Sequence, residues 1–194
     1  MLSEDEVHAR LRSASAPVAA LDSNVVFGNG LLRILVEVSR WNKDGVDGPK
    51  LRLVIPALVH AEHTAFERRK HGPDFDITKL RAPLQTHNFL FDPPTSDNDT
   101  DHWVAPFDVT AAESCAEALA RRWGTEKEWD RERKLRRWDS SPVDLYIWAQ
   151  AAANDWLLVT NDTGHEFADA RAAITNDAIF RKALARGRAA ENSP

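Results

Sequence analysis

Apolar residues along the chain recur in two rhythms. Val18-Ala19-Ala20-Leu21, Leu51 to Ile55 and Trp156 to Thr160 are short continuous apolar runs, the pattern of strands buried on both faces. Leu31, Ile34, Leu35, Val38 and Trp41 instead recur at helical spacing and predict a helix with one buried face. Ser3 and Glu6 form an S-x-x-E capping box, which predicts a short helix from Ser3 to about Arg12. Lys43 to Lys50, with Gly45, Gly48 and Pro49, reads as a turn. Pro56 suits the first position of a helix running over Ala57 to Lys70. The first 70 residues therefore alternate strand, helix, strand, helix, the signature of a parallel α/β sheet.

The middle of the chain is less regular. Phe75 to Phe91 reads as helical in part, Asp92 to Asp101 as a polar loop, and Val104 to Phe107 as a short strand. Thr110 to Arg122 is an alanine-rich helix, with Thr110 as cap and Glu113 three residues on. Ser140 or Ser141 can cap a further helix from Pro142 through Ala153, and a last helix covers about Asp177 to Ala185. No clear strand is visible after Ala168.

Composition narrows the class. The 194 residues suit one domain, with an insertion expected at about 121–139 and the polar loop at 92–101. The absence of a run of about 18 apolar residues argues against a membrane-spanning helix. The first 17 residues lack an apolar secretory core, so a cytoplasmic location is expected. The single cysteine, Cys115, excludes an internal disulfide and a cysteine zinc site, and reads as a small buried helix residue. A net charge of -5 argues against coating nucleic acid through bulk charge. Arg121 to Asp139 runs the other way, with eight basic and five acidic residues and with Trp123, Trp129 and Trp138 among them. Arginines on phosphates and tryptophans on unpaired bases would make this stretch a substrate rim; an ordinary charged helix is the plainer alternative.

Four acids carry the candidate chemistry. Ligands of a parallel sheet bind beyond the carboxyl ends of its strands. Asp22 ends the first strand and Asp162 follows the late one; Glu62 and Asp144 lie on helices at comparable places. Each alone has an ordinary role: Asp22 as a cap, Glu62 as an exposed helix residue, Asp144 as a helix-dipole partner, Asp162 as a turn former. Together in one pocket, four carboxylates repel and call for a hard divalent cation, Mg²⁺ or Mn²⁺. His60 and His63 flank Glu62 but do not make H-E-x-x-H, so a zinc protease is not expected. Asp22-Ser23-Asn24 also lacks the D-x-D of a haloacid-dehalogenase phosphatase. His165 reads as a solvated loop residue.

The order and surroundings of these acids resemble the PIN-domain nucleases of VapC-type toxins. The matching pieces are Val18-Ala-Ala-Leu-Asp22-Ser-Asn24, Ile55-Pro-Ala-Leu-Val-His-Ala-Glu62, Val143-Asp144-Leu-Tyr-Ile-Trp-Ala-Gln-Ala-Ala152 and Leu158-Val-Thr-Asn-Asp162. Val104-Ala-Pro-Phe-Asp108 and the alanine-rich helix after it extend the likeness, which spans about residues 17 to 170. The resemblance implies a PIN-like three-layer fold, with a central parallel sheet flanked by helices. It implies Mg²⁺- or Mn²⁺-dependent hydrolysis of single-stranded RNA to 5′-phosphate and 3′-hydroxyl ends. By position, Asp22, Glu62, Asp144 and Asp162 become the catalytic, metal-binding acids. Asn24 and Thr160 become supporting residues, with Glu166 as an additional carboxylate. Arg68, Arg69, Arg133, Arg136 and Arg137 are the candidate substrate-binding residues. An antitoxin or other inhibitory protein and a homodimer are the implied partners. Two alternatives stay open: a DNA or structure-specific nuclease, and a PIN-like module that binds RNA or protein without cutting. The chain is longer than a typical VapC-type toxin, with the excess in 92–101 and 121–139.

Overall fold

The structure is a computed structural model and describes residues 1–27, 30–44, 50–72, 74–76, 78–91, 102–123, 142–162 and 172–191. Ser3 caps the first helix, α1 (Glu4–Ser13), through the reciprocal Ser3–Glu6 capping box. Strand β1 (Val18–Leu21) leads into a single turn, α2 (Ser23–Val26), and then into α3 (Gly30–Asp44). Ile34, Val38 and Trp41 of α3 are buried, as its spacing requires. Strand β2 (Arg52–Pro56) and helix α4 (Ala57–His71) follow, then α5 (Thr78–Thr86), β3 (Phe89–Leu90), β4 (His102–Ala105) and α6 (Val109–Trp123). Helix α7 (Pro142–Ala153), β5 (Leu157–Val159), β6 (Ala173–Thr175) and α8 (Asp177–Glu191) complete the described elements.

The six strands form one parallel sheet in the order β3-β4-β2-β1-β5-β6. Every position of β2 and β5 is buried, so helices cover both faces of the sheet. Helices α1, α3 and α8 pack as one group, and α4, α6 and α7 as another. This is a three-layer α/β arrangement, a central parallel sheet flanked by helices on both faces. The core between the layers holds Trp148, Phe180, Ile34, Leu145 and Ile147, each 2% exposed or less. Among the described residues, no helix is long and apolar enough to cross a membrane.

Several sequence expectations need correction. Two strands were missed. β3 and β6 are two and three residues long and sit at the sheet edges, too short to show a periodicity. Pro56 is the last residue of β2, paired with Ala105, rather than the first of α4; its ψ of 137° is extended. The cap of α6 is Asp108, not Thr110: Asp108 Oδ1 accepts from the Ala111 amide at 2.8 Å, which places Thr110 inside the helix. The fourth strand lies at His102–Ala105, two residues earlier than expected, and α8 runs on to Glu191. Helix α3 continues to Asp44, and 45–49 of the expected turn lie outside the described residues. So do the whole loop at 92–101 and 124–139 of the expected insertion.

Candidate active site

The register of β1 and β5 builds the site. Leu21 pairs with Val159, so the next residues out, Asp22 and Thr160, meet just beyond the carboxyl end of the sheet. The Asp22 amide still bonds the Val159 carbonyl at 3.0 Å, and the Thr160 amide the Thr175 carbonyl at 2.9 Å. The chain runs from β1 to β2 on one side and reaches β5 on the other. This is a topological switch point, where such sheets open a crevice.

Asp22 is 1% exposed and tightly held. The Thr160 hydroxyl donates to its Oδ2 at 2.6 Å, and Asn24 Nδ2 donates to the same oxygen at 3.3 Å. Its Oδ1 accepts from the Ser23 amide at 2.7 Å, so Asp22 also caps α2. Asn24 ties both strands together: Nδ2 donates to Thr160 Oγ1 at 3.1 Å and Oδ1 accepts from the Asn161 amide at 3.0 Å. The Asp162 amide adds a second donor to Thr160 Oγ1 at 3.1 Å. That hydroxyl thus uses its one proton and both lone pairs, which fixes its direction.

Burial pushes the Asp22 carboxyl above the ordinary carboxylate range; the Thr160 and Ser23 hydrogen bonds pull against it, and the charge of Asp162 adds to the rise. Glu62, in the second turn of α4, behaves alike. Burial raises it, a Ser23 hydrogen bond opposes this, and the Asp22 charge adds to the rise. The Ser23 hydroxyl therefore stands between the two acids, 3.4 Å from Asp22 Oδ1. Sequence reasoning missed Ser23, although its place between the first acid and Asn24 was the available signal. Glu62 Oε2 is buried and, among the described residues, has no hydrogen-bond partner. The exposed-helix reading of Glu62 is thus overturned.

Asp22, Glu62 and Asp162 are brought into one electrostatic neighbourhood. Asp144 lies half-buried in the first turn of α7. Since α7 leads into β5, its first turn lies at the same carboxyl edge of the parallel sheet. Among the described residues, no three His, Cys, Asp or Glu side chains gather closely enough to form a metal-binding group. Like-charge repulsion acts against a tighter approach of the acids. His60 faces Phe91 and His63 faces Phe27, so the two histidines serve separate ring contacts. Arg68 and Arg69 are exposed in the last turn of α4, where they also suit the helix dipole. Glu166, His165, Arg133, Arg136 and Arg137 lie outside the described residues. Cys115 is buried on α6, where burial pushes its thiol up to about 11.

No protein-family model and no curated protein matches this sequence. Among solved structures, the chain is similar to one in the crystal structure of FitAcB from Neisseria gonorrhoeae, at 20% identity and a TM-score of 0.47. The similarity covers 82% of this chain and 98% of that one.

Proposed function

We propose that the protein is a metal-dependent endoribonuclease that hydrolyses phosphodiester bonds of single-stranded RNA, with Mg²⁺ or Mn²⁺ as cofactor. The observation that carries this reading is the buried Asp22 carboxylate, clamped by Thr160, Asn24 and Ser23, beside the unpartnered Glu62 oxygen and the Asp162 charge. An all-oxygen donor set suits a hard divalent cation, and an orphaned buried carboxylate oxygen is a ligand position awaiting a positive charge. Asp22, Glu62, Asp144 and Asp162 would hold the ion. Such an ion supplies charge against a developing phosphate anion and lowers the pKa of water.

The chain's own groups do the positioning. Thr160 and Asn24 fix the direction of the Asp22 oxygens, so little reorganisation accompanies binding. Ser23 couples Asp22 to Glu62. Asp162, held through its amide to Thr160, keeps its carboxylate at the mouth of the crevice, where it is exposed. Arg68 and Arg69 can meet RNA phosphates beyond α4. The toxin half of a toxin–antitoxin pair, with an antitoxin as inhibitory partner and a homodimer as its assembly, is the role that the sequence resemblance adds.

A second reading is a PIN-like module that binds RNA or protein without cutting. The specific observation in its favour is that the described acids do not close into a group of three. Cleavage of labelled single-stranded RNA and matched DNA in Mn²⁺, Mg²⁺ or EDTA, by the parent chain and Asp22→Asn, separates the readings. RNA cutting that needs metal and vanishes in the variant supports the nuclease. Cutting of DNA alone changes the substrate class, and RNA binding without cutting supports the module.

A further inference from the structure

Beside the acids lies a feature that the chemistry above does not use. A cavity of about 470 Å³ opens between α2 and α4, lined by Ser23, Phe27, Glu62, His63, Phe66 and Glu67. Two of its walls are exposed aromatic rings, Phe27 at 41% and Phe66 at 62%. The Phe27 ring lies 3.8 Å from that of His63, centroid to centroid, with 32° between their planes. Large apolar side chains left in water beside a polar site call for an occupant.

Helical spacing orders this face. Glu62, His63, Phe66, Arg69 and Lys70 recur at intervals of three and four and so lie along one side of α4. One end of the stripe is the acid site and the other is cationic. The aromatic platform sits between, about 6 Å along the axis from Glu62 at 1.5 Å per residue. Glu67, the acid on this wall, lies 3.2 Å from His71 Nε2 and 3.7 Å from His63 Nε2. Carboxylates where a phosphate would be cleaved, rings one short step away and cations beyond them match the alternating phosphate and base chemistry of one strand of RNA. The apolar part is only two exposed rings wide, which fits a base better than a protein helix.

We infer that Phe66 and Phe27, the latter braced by His63, form a stacking platform for an unpaired nucleobase next to the scissile phosphate, with Arg69 and Lys70 receiving the following phosphate. This inference rests on the ribonuclease reading and deepens it. Stacking accepts any base, so the platform selects for single strands rather than for a sequence.

The test compares the parent chain, Phe66→Ala, Phe66→Trp and Phe27→Ala on short single-stranded RNA, intact or with one base removed beside the cleavage position. Phe66 is largely exposed, so its replacement leaves the core intact. Removing the ring is expected to raise KM about tenfold, with the loss in KM rather than kcat, and Phe66→Trp to restore it. The abasic RNA should be cut poorly by the parent and no worse by Phe66→Ala. In the Asp22→Asn background, a fluorescent adenine analogue at that position should be quenched on binding, and Phe66→Ala should abolish the quench. If the parent cuts RNA but Phe66→Ala treats intact and abasic RNA as the parent does, the platform is overturned while the nuclease reading stands. If Phe66→Ala leaves RNA kinetics alone but releases a co-purifying protein, the face docks protein and the platform is overturned. If the parent neither binds nor cuts RNA, the ribonuclease reading falls and takes the platform with it.

Discussion

The Thr160 hydroxyl donates a 2.6 Å hydrogen bond to the Asp22 carboxylate across 138 positions of sequence. The bond exists because β1 and β5 are parallel neighbours in register, so their first residues beyond the sheet coincide. Thr160 is fully buried and its hydroxyl is also the acceptor for Asn24 and for the Asp162 amide. Thr160→Val keeps the shape and removes all three bonds. A hydrogen bond to a charged group contributes about 1.5–3 kcal/mol, so the variant should lose stability of that order in denaturant unfolding. Misaimed ligands behind a metal cost about ten- to a hundredfold in affinity or activity, so half-maximal cleavage should need correspondingly more Mn²⁺. A variant with parental metal dependence would show that Thr160 is merely packing.

Metal binding should be visible without any substrate. A ligand at a hundred times its Kd stabilises the folded state by about 2.7 kcal/mol. For a chain of this size each kcal/mol moves Tm by about 2–4 °C, so Mn²⁺ near saturation should raise the parent's Tm by about 5–10 °C. Asp22→Asn and Glu62→Gln should lose most of that rise. A shift of equal size in all three proteins would place the ion elsewhere.

The same two acids set a pH dependence in EDTA. Their folded carboxyls are raised above the ordinary values of 3.8 and 4.5, chiefly by burial. A raised carboxyl gives stability that is complete below the unfolded pKa and is lost as pH rises through the folded pKa. Glu62→Gln removes the part of that loss due to Glu62. Thermal melts from acid to neutral pH should therefore show the variant gaining on the parent as pH rises. A difference that is flat with pH would mean that Glu62 keeps an ordinary pKa.

Asp108 and Thr110 offer a test of local structure. Only Asp108 bonds a free amide at the start of α6, so Asp108→Ala should cost about 1 kcal/mol, typical for a lost cap. Thr110→Ala, inside the first turn, should be neutral or gain a few tenths, because alanine is the better helix former. Urea unfolding of both variants decides between the two caps. Equal costs would return Thr110 to the role the sequence suggested.

That exchange shows what the sequence makes legible and what it does not. Both residues precede an alanine-rich run and both are good caps, so local pattern cannot choose; one hydrogen bond does. The strands β1, β2 and β5 were readable because burial on both faces makes continuous apolar runs. The edge strands β3 and β6 were not, since pairing with a neighbour, not composition, defines them. At the site, the acids at strand ends were visible as positions. The role of Ser23 was not, because it arises from α4 bringing Glu62 against the turn after β1. Phe27 and Phe66 were equally silent, as an isolated phenylalanine in sequence does not reveal that its ring faces water.

His102 gives the last prediction, and it concerns the core rather than the site. It is 9% exposed at the start of β4, where its Nδ1 accepts a hydrogen bond from the Leu53 amide at 3.2 Å. Its ring also lies 5.1 Å from that of Phe89. An acceptor at Nδ1 fixes the neutral tautomer, and burial pushes the imidazole down from 6.5 to about 4. The unfolded chain therefore binds a proton here that the folded chain refuses between those two values. Stability from this group is complete above pH 6.5 and is lost as pH falls through that window, to a total of about 3 kcal/mol. His102→Gln should flatten the corresponding slope in a series of urea melts. In NMR titration of the folded protein, the His102 ring signals should hold still until the pH nears 4. A midpoint near 6.5 would mean that water reaches the ring and that the seam between β2 and β4 is open.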